Sequence, residues 1–210
     1  MRRTCEWPKA SRDTTIVGMN IENHIVTSHI GPSTERADKL GVDIGRVIIQ
    51  GDGPDTNFIG GSEEEAMRAP AMEGVVEALA ILVEQLRPEN VWIVSKCGPR
   101  IEARSRAWLD RRRFFESTGI PRANIRFCKQ RRDKAKICLD LGIGYFIDDR
   151  VDVLVPMADI VPHRFLFGAT SSREPGIVAV PTWAAAEAVI LRLLDEGVSP
   201  ARGTPAAHAP

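Results

Sequence analysis

The chain has 210 residues, 43% of them hydrophobic, which is enough to bury the core of one domain and leave room for irregular ends. Its 28 basic and 28 acidic residues give a formal net charge of zero, so there is no electrostatic case for nonspecific binding to nucleic acid or to a membrane. The four cysteines lack CxxC spacing and no apolar run reaches membrane-spanning length, so we expect reduced thiols in a cytoplasmic protein.

The two ends of the sequence differ from its centre. Residues 1–36 predict an N-terminal extension in which 14–19 and 25–30 could form an edge hairpin, although a true start at Met19 is an alternative. Residues 198–210 are mostly Ser, Pro, Ala, Gly and His, a composition that predicts a disordered tail. The remaining stretch, 37–197, is expected to be the folded domain.

Strand and helix patterns alternate along this domain. A buried strand at 42–49 is followed by a Gly-rich, loop-like segment at 50–72. The later elements are predicted as follows: helix 73–86, strand 91–94, helix 99–116, strand 124–128, helix 133–141, strand 145–147, helix 151–154, strand 164–167, and a helix from an N-cap at Thr182 to residue 194. The alternation favours an α/β, doubly wound fold with a mainly parallel sheet.

Four polar landmarks fall at or just after the predicted elements. Asp43 lies early in the first strand, Ser95 ends the second, Lys134 opens a helix, and Asp148-Asp149 follows the strand at 145–147. In an open parallel sheet, ligands bind outside the carboxyl ends of the strands, so these groups should meet in one crevice. Carboxylates, a hydroxyl and an ammonium in one crevice suit a divalent cation and a phosphoryl group.

The order of these landmarks resembles the four motifs of the haloacid dehalogenase-like (HAD-like) phosphatase superfamily. In that superfamily an Asp follows the first strand, a Ser or Thr follows the second, and a Lys precedes an acidic pair after the fourth. The stretch 134–150, KAKICLDLGIGYFIDDR, is the closest match and resembles the third and fourth motifs run together. The resemblance covers residues 40 to 170 and implies a three-layer Rossmann-like fold.

The resemblance also implies roles for individual residues. Asp43 would be the nucleophile that forms an aspartyl-phosphate, Ser95 would hydrogen-bond a phosphoryl oxygen, and Lys134 would neutralise charge on both. Mg²⁺ would be the cofactor, held by Asp43, the backbone carbonyl of Gly45 and Asp148. Asp149 would complete the metal site through water or from behind the ligands.

One position departs from the pattern of the superfamily. The residue two past the nucleophile is usually a second Asp that protonates the leaving group, and here it is Gly45. General acid catalysis contributes about 100- to 10,000-fold, so esters with poor leaving groups should suffer most. Asp52 or Asp55 in the 50–72 loop could replace the acid, the substrate could have a good leaving group, or turnover could be lost.

Simpler interpretations exist for several of these residues. The acidic pair could cap a helix that begins at Arg150, and Lys136 or Lys96 could take the role assigned to Lys134. The arginine runs 111–113 and 131–132 are most simply solvated faces, and Arg104 is expected to point outward as well. Cys97 has no histidine partner nearby and is expected to be a small buried residue.

Three functions follow from these alternatives. The first is a Mg²⁺-dependent phosphohydrolase acting on a phosphorylated small molecule or a nucleotide-like substrate, without a large cap domain. The second is a phosphate-binding or regulatory protein of the same fold that no longer turns over. The third is a receiver-like signalling domain, against which the late acidic pair argues. An uncapped crevice suits large substrates unless a partner subunit covers it, so a homodimer is a further prediction.

Overall fold

The computed structural model describes residues 38–51 and 59–198. The predicted N-terminal extension with its hairpin, the tail beyond Val198, Cys5, and the substitute acids Asp52 and Asp55 lie outside the described residues. Those predictions stay open.

A parallel sheet forms the centre of the described chain. Its six strands have the spatial order β3-β2-β1-β4-β5-β6, and every neighbouring pair is parallel. The strands are β1 (Leu40–Val42), β2 (Val91–Lys96), β3 (Ile125–Cys128), β4 (Tyr145–Asp148), β5 (His163–Phe167) and β6 (Ile177–Val180). The doubly wound α/β prediction is confirmed. The order also differs from the 2-1-3-4-5 order of receiver domains, so the receiver hypothesis is wrong.

Helices cover both faces of the sheet. They are α1 (Glu63–Arg68), α2 (Val75–Leu86), α3 (Pro99–Arg111), α4 (Phe114–Thr118), α5 (Asp133–Leu141), α6 (Val151–Leu154) and α7 (Trp183–Val198), with short 3₁₀ turns at Pro88–Asn90 and Val155–Met157. One buried cluster contains side chains of α2, α3, α4 and α7, and a second contains side chains of α5 and α6. The three-layer prediction is therefore confirmed. No helix in these described ranges is long and apolar enough to cross a membrane.

The structure differs from the predicted elements in three places. The predicted helix at 99–116 is two helices, because Arg113 has a left-handed backbone (φ 51°) that ends the first and starts the second. The segment 50–72, predicted as a loop, contains α1, which begins with a capping box between Ser62 and Glu65. Strand β6 was not predicted, although its sequence, Ile-Val-Ala-Val, is apolar and short. The N-cap at Thr182 is confirmed, since its hydroxyl accepts a hydrogen bond from the Ala185 N–H.

The first strand is also shorter than predicted and lies earlier in the chain, at Leu40–Val42 and not at 42–49. It ends at Val42, and the apolar residues after it fold into a compact turn in which the N–H groups of Ile48 and Ile49 both donate to the carbonyl of Ile44. Burial explains the error, because these residues are apolar for packing in the core and not for pairing in the sheet. Within β1, Gly41 is required by close packing: a Cβ there would lie 2.5 Å from the Phe146 ring.

The segment between this turn and α2 leaves and rejoins the domain at one place. The Gln50 N–H donates to the Pro70 carbonyl (2.9 Å) and the Met72 N–H donates to the Ile48 carbonyl (2.8 Å). We call these two paired stretches, 48–50 and 70–72, the neck. Only loop residues and α1 are described between the two sides of the neck, consistent with the prediction of no large cap domain.

Arg104 of α3 and Arg112, which follows the end of that helix, bind backbone carbonyls of this segment. Arg104 donates to the carbonyls of Ile59 (3.2 Å) and Gly61 (3.0 Å), and Arg112 donates to the Ala69 carbonyl (2.9 Å). Residues 111–113 are exposed, as the solvated-face interpretation predicts, but Arg112 also donates to the backbone, and Arg104 is half-buried by its contacts with this segment. Carbonyl oxygens at a bend in the chain need donors, and a long guanidinium can reach them.

Helix α2 provides a test of the packing. Leu79→Ala removes a fully buried side chain from the core and should lower the free energy of unfolding by about 2–5 kcal/mol. Ile81→Ala, on the same helix but 40% exposed, is the matched control and should change it by less than about 0.5 kcal/mol. Urea denaturation measures both. Equal losses in the two variants would contradict the assignment of the buried face.

Candidate functional site

The candidate site lies where the order of the strands reverses. The chain runs outward from β1 to β2 and β3, then returns to place β4 on the other side of β1. Val42 is in register with Ile147, and the Asp43 N–H donates to the Ile147 carbonyl (3.0 Å). Asp43 and Asp148 therefore leave the sheet side by side at its carboxyl edge, which is where open α/β sheets bind ligands.

A buried lysine joins these two carboxylates. Lys134, in the first turn of α5, places its Nζ 2.8 Å from Oδ1 of Asp43 and 2.7 Å from Oδ2 of Asp148. Its side chain is only 3% exposed, so both contacts are made away from bulk water. Lys136, by contrast, is exposed and Lys96 is not part of this ion group. The lysine at the centre of the cluster is therefore the one that the resemblance indicated.

Burial and charge act against each other in this group. Burial alone lowers the pKa of the Lys134 ammonium, but the charges of Asp148 and Asp43 outweigh it and raise that pKa above its ordinary value. Burial raises the pKa of the Asp148 carboxyl, Lys134 opposes the shift, and the like charge of Asp43 adds to it. The two carboxylates compete for one ammonium, so a further cation beside them would be stabilised.

The other oxygen of Asp148 holds the backbone of the following turn. Oδ1 accepts a hydrogen bond from the Arg150 N–H at 3.0 Å, just before α6. Helix α6 has Arg150 as its N-cap and receives no capping hydrogen bond from a side chain, so the capping interpretation of the acidic pair is wrong. The bond from Arg150 to Asp148 holds the turn before the helix. It does not compete with the ionic role, because Oδ2 is the atom that contacts Lys134.

Asp149 is paired with an arginine that the sequence analysis did not single out. The Nε of Arg46 lies 2.6 Å from Oδ2 of Asp149. Burial and Asp43 raise the pKa of the Asp149 carboxyl, and Arg46 lowers it, with a net increase. Arg46 lies in the turn after β1 with a left-handed backbone (φ 59°). The signal available in the sequence was an arginine immediately after Gly45.

These residues line a small cavity with a volume of about 30 Å³. Its walls include the carboxylates of Asp43 and Asp149, the Lys134 ammonium, Ser95 near the end of β2, and Gly45. The space is enough for one or two water-sized groups. All the predicted site residues that the structure describes line the cavity, except Asp148. Asp148 lies behind Lys134, which it contacts. Lys96, Arg131 and Arg150 also line it, so Arg131 is not a purely solvated residue.

The donor set fits a hard divalent cation. One carboxylate oxygen each from Asp43, Asp148 and Asp149 lie within 4.8 Å of one another, and oxygen is the ligand type that Mg²⁺ prefers. Oδ1 of Asp43 is buried and receives no hydrogen bond of normal geometry from the described residues, although the Lys134 ammonium lies close to it. The cluster could therefore hold a metal ion.

The cysteines near the site do not have the character of nucleophiles. Cys97, Cys128 and Cys138 are free, and burial is the largest cause that raises the pKa of each thiol, to about 12, 11 and 12. A thiol with a raised pKa is a poor source of thiolate. The prediction that Cys97 is a buried structural residue agrees with its 5% exposure.

Comparison with known proteins places the fold. No protein-family model and no curated protein matches the sequence. A solved structure of a haloacid dehalogenase-like family hydrolase from Xanthomonas campestris matches with a TM-score of 0.51 at 13% identity, over 75% of this chain and 96% of that one. A D,D-heptose 1,7-bisphosphate phosphatase from Burkholderia thailandensis matches with a TM-score of 0.46 at 15% identity, over 74% of this chain and 98% of that one.

The first of these matches identifies the class of fold. The chain has a haloacid dehalogenase-like fold, and the resemblance predicted from the four motifs is confirmed at the level of the fold.

Removal of the central ammonium tests the electrostatics of the site. Lys134→Met should lower the free energy of unfolding by about 3–5 kcal/mol, because it leaves two buried carboxylates without their shared counter-ion. Lys136→Met, two residues along the same helix and exposed, should change it by less than about 0.5 kcal/mol. Urea denaturation in the presence of a chelator measures both. A Lys134→Met protein as stable as the wild type would contradict the ion group.

Proposed function

We propose that the protein is a Mg²⁺-dependent phosphohydrolase that acts on a phosphorylated small molecule through an aspartyl-phosphate on Asp43. One observation carries the proposal: Lys134 joins Asp43 and Asp148 at the strand-order reversal of a HAD-like sheet, and Asp43, Lys134 and Ser95 line one small cavity there. The arrangement supplies a carboxylate nucleophile, a fixed positive charge and a hydroxyl donor within one small space.

In this mechanism Asp43, Lys134 and Ser95 each have a defined task. A carboxylate oxygen of Asp43 attacks phosphorus, and the bond to the leaving group breaks on the opposite side. Lys134 stabilises the charge on the transferred group while it holds Asp43 in place. The Ser95 hydroxyl donates to a phosphoryl oxygen. Water then attacks the aspartyl-phosphate and regenerates the carboxylate.

The metal would be held by Asp43, Asp148 and the Gly45 carbonyl, with Asp149 behind them. Mg²⁺ at this place would supply positive charge that offsets the three carboxylates and the phosphoryl oxygens. A cytoplasmic location and a homodimer that covers the cleft remain predictions.

A second candidate function rests on Gly45. This residue offers no proton to a leaving group, so a protein of this fold could bind phosphate groups, in a regulatory or sequestering role, without turning them over. The two functions differ in one measurable respect, which is whether Asp43 is needed for hydrolysis of an activated ester.

The nucleophile is tested with p-nitrophenyl phosphate and Mg²⁺. Asp43→Asn should reduce kcat/KM by more than about 1,000-fold, because an amide cannot form the covalent intermediate. Asp140→Asn, an exposed acid on α5, should leave the rate unchanged. Thermal unfolding of both variants checks the fold. Absence of hydrolysis in the wild type would instead support the binding function, and equal rates in wild type and Asp43→Asn would remove Asp43 from the mechanism.

Metal binding is tested apart from catalysis. Mg²⁺ at about 100 times its dissociation constant should stabilise the wild type by about 2.7 kcal/mol, as binding to the native state alone requires. Asp43→Asn should weaken this stabilisation, while Asp140→Asn should not. Thermal denaturation at increasing Mg²⁺ concentrations gives the comparison. A Mg²⁺ response that is equal in all three proteins would place the ion elsewhere.

A further inference from the structure

Arg46 lies at the junction of three cavities. It lines the small site cavity, an open cleft of about 930 Å³ that also involves Asp149 and Arg150, and a pocket of about 490 Å³ beside Phe167 and Trp183. No other described residue lines all three. Its side chain is 27% exposed, so the guanidinium is accessible to a ligand that extends outward from the site.

The turn that carries Arg46 is held rigidly. The Arg46 N–H donates to the Ile49 carbonyl (2.8 Å), and the Trp183 indole N–H donates to the Val47 carbonyl (2.8 Å). Within this turn Arg46 has a φ of 59°, a conformation that glycine would adopt without strain. A strained residue held by its surroundings is a reason to ask what its side chain does.

The Arg46 side chain lies beside the carboxylates of the candidate site. Arg46 contacts Asp149, and Asp149 has a carboxylate oxygen within 4.8 Å of one on Asp43. In an in-line displacement, a group that leaves phosphorus as Asp43 attacks departs on the side opposite Asp43. Arg46 and Arg150 both line the small site cavity and the open cleft, and of the two only Arg46 also lines the pocket beside Phe167.

Arginine at this position limits the chemistry that the site can support. A guanidinium stays protonated at any physiological pH, so it can stabilise an anionic leaving oxygen but cannot give it a proton. Gly45, where an acid would lie, has no side chain to donate one. The leaving group that fits both facts is one that departs as a stable anion and already carries negative charge.

We propose that Arg46 binds the leaving group, and that the substrates are phosphoanhydrides, in which the leaving group is itself a phosphate. This inference rests on the proposed function. An oxygen of Asp43 forms a bond to the terminal phosphorus, and the anhydride P–O bond breaks with its electron pair on the departing phosphate, which already bears a proton or an ester group and so leaves as hydrogenphosphate or a phosphomonoester dianion. Arg46 stabilises that phosphate as an anion, and no proton is transferred to it.

Hydrolysis of the aspartyl-phosphate is the second step of the reaction. Water attacks the phosphorus of the aspartyl-phosphate, and the bond to Asp43 breaks with its electron pair returning to the carboxylate. One proton of the water stays on the released inorganic phosphate and the other passes to solvent.

Binding provides the first test. Methylenediphosphonate, a diphosphate analogue that cannot be hydrolysed at its bridge, is titrated into the Mg²⁺-loaded protein by calorimetry. Arg46→Gly should weaken its binding by about 10- to 100-fold, the effect of losing a hydrogen bond from a charged donor, and Arg46→Lys should lose less. Arg132→Gln, which removes an exposed positive charge nearby, should bind like the wild type. Equal binding by Arg46→Gly and wild type would overturn the proposal.

Kinetics provide the second test. The wild type should hydrolyse inorganic pyrophosphate and p-nitrophenyl phosphate but act far more slowly on phenyl phosphate, whose leaving group is more basic. Arg46→Gly should lose at least about 10-fold more activity on pyrophosphate than on p-nitrophenyl phosphate. Gly45→Asp should speed phenyl phosphate hydrolysis by about 100-fold or more, and Gly45→Asn should not. A wild type that hydrolyses phenyl and p-nitrophenyl phosphate equally well would contradict the proposal.

The two proposals fail in different ways. If Asp43→Asn retains p-nitrophenyl phosphate hydrolysis, the phosphohydrolase mechanism is wrong whatever Arg46 does. If Asp43→Asn abolishes hydrolysis while Arg46→Gly keeps the wild-type ratio of pyrophosphate to p-nitrophenyl phosphate activity, the mechanism stands and the role of Arg46 is wrong. Glycine fits the backbone at position 46, so the variant is expected to fold.

Discussion

The contact of one buried ammonium with two buried carboxylates determines how the rest of the site is built. Lys134 belongs to α5, Asp43 follows β1 and Asp148 ends β4, so this contact joins three elements at the carboxyl edge of the sheet. Burying three charges is costly unless each is compensated, and here the compensation is incomplete because the acids outnumber the lysine. The excess of carboxylate charge lies beside the small cavity and could be offset by a metal ion bound there. The carboxylates of Asp43 and Asp148 therefore both join the three elements through Lys134 and form part of the candidate metal site.

Much of this arrangement could be predicted from the sequence. The alternation of apolar runs and amphipathic stretches predicted β2, β3, β4 and β5 close to their observed positions, and with them the parallel sheet, since both depend on local periodicity. Asp43, Ser95, Lys134 and Asp148 could be grouped because the ends of parallel strands share one edge. The extent of β1 could not be predicted, because Ile44, Val47, Ile48 and Ile49 are apolar for core packing in a turn, and a pattern of burial alone does not distinguish that from a strand.

The role of Arg46 was also beyond the reach of sequence patterns. Its importance depends on a left-handed backbone angle, on a contact with Asp149 about 100 residues away, and on the cavities that surround it. None of these leaves a periodic signal. The backbone contacts of Arg104 in α3 and of Arg112 just after it could not be predicted either. The spacing of these arginines suggested a solvated face, whereas Arg104 and Arg112 donate to carbonyl groups of the segment that precedes α2.

The neck formed by 48–50 and 70–72 has an evolutionary consequence. Because the chain leaves and rejoins the domain through paired backbone groups, the length of the segment between them is nearly independent of the sheet. Each doubling of a flexible loop costs only about 0.6 kcal/mol in closure entropy. A lineage with this fold can therefore gain, lose or exchange a segment at this point while Asp43, Lys134 and Asp148 keep their positions, so the surroundings of the site can change without disturbing the buried ion group.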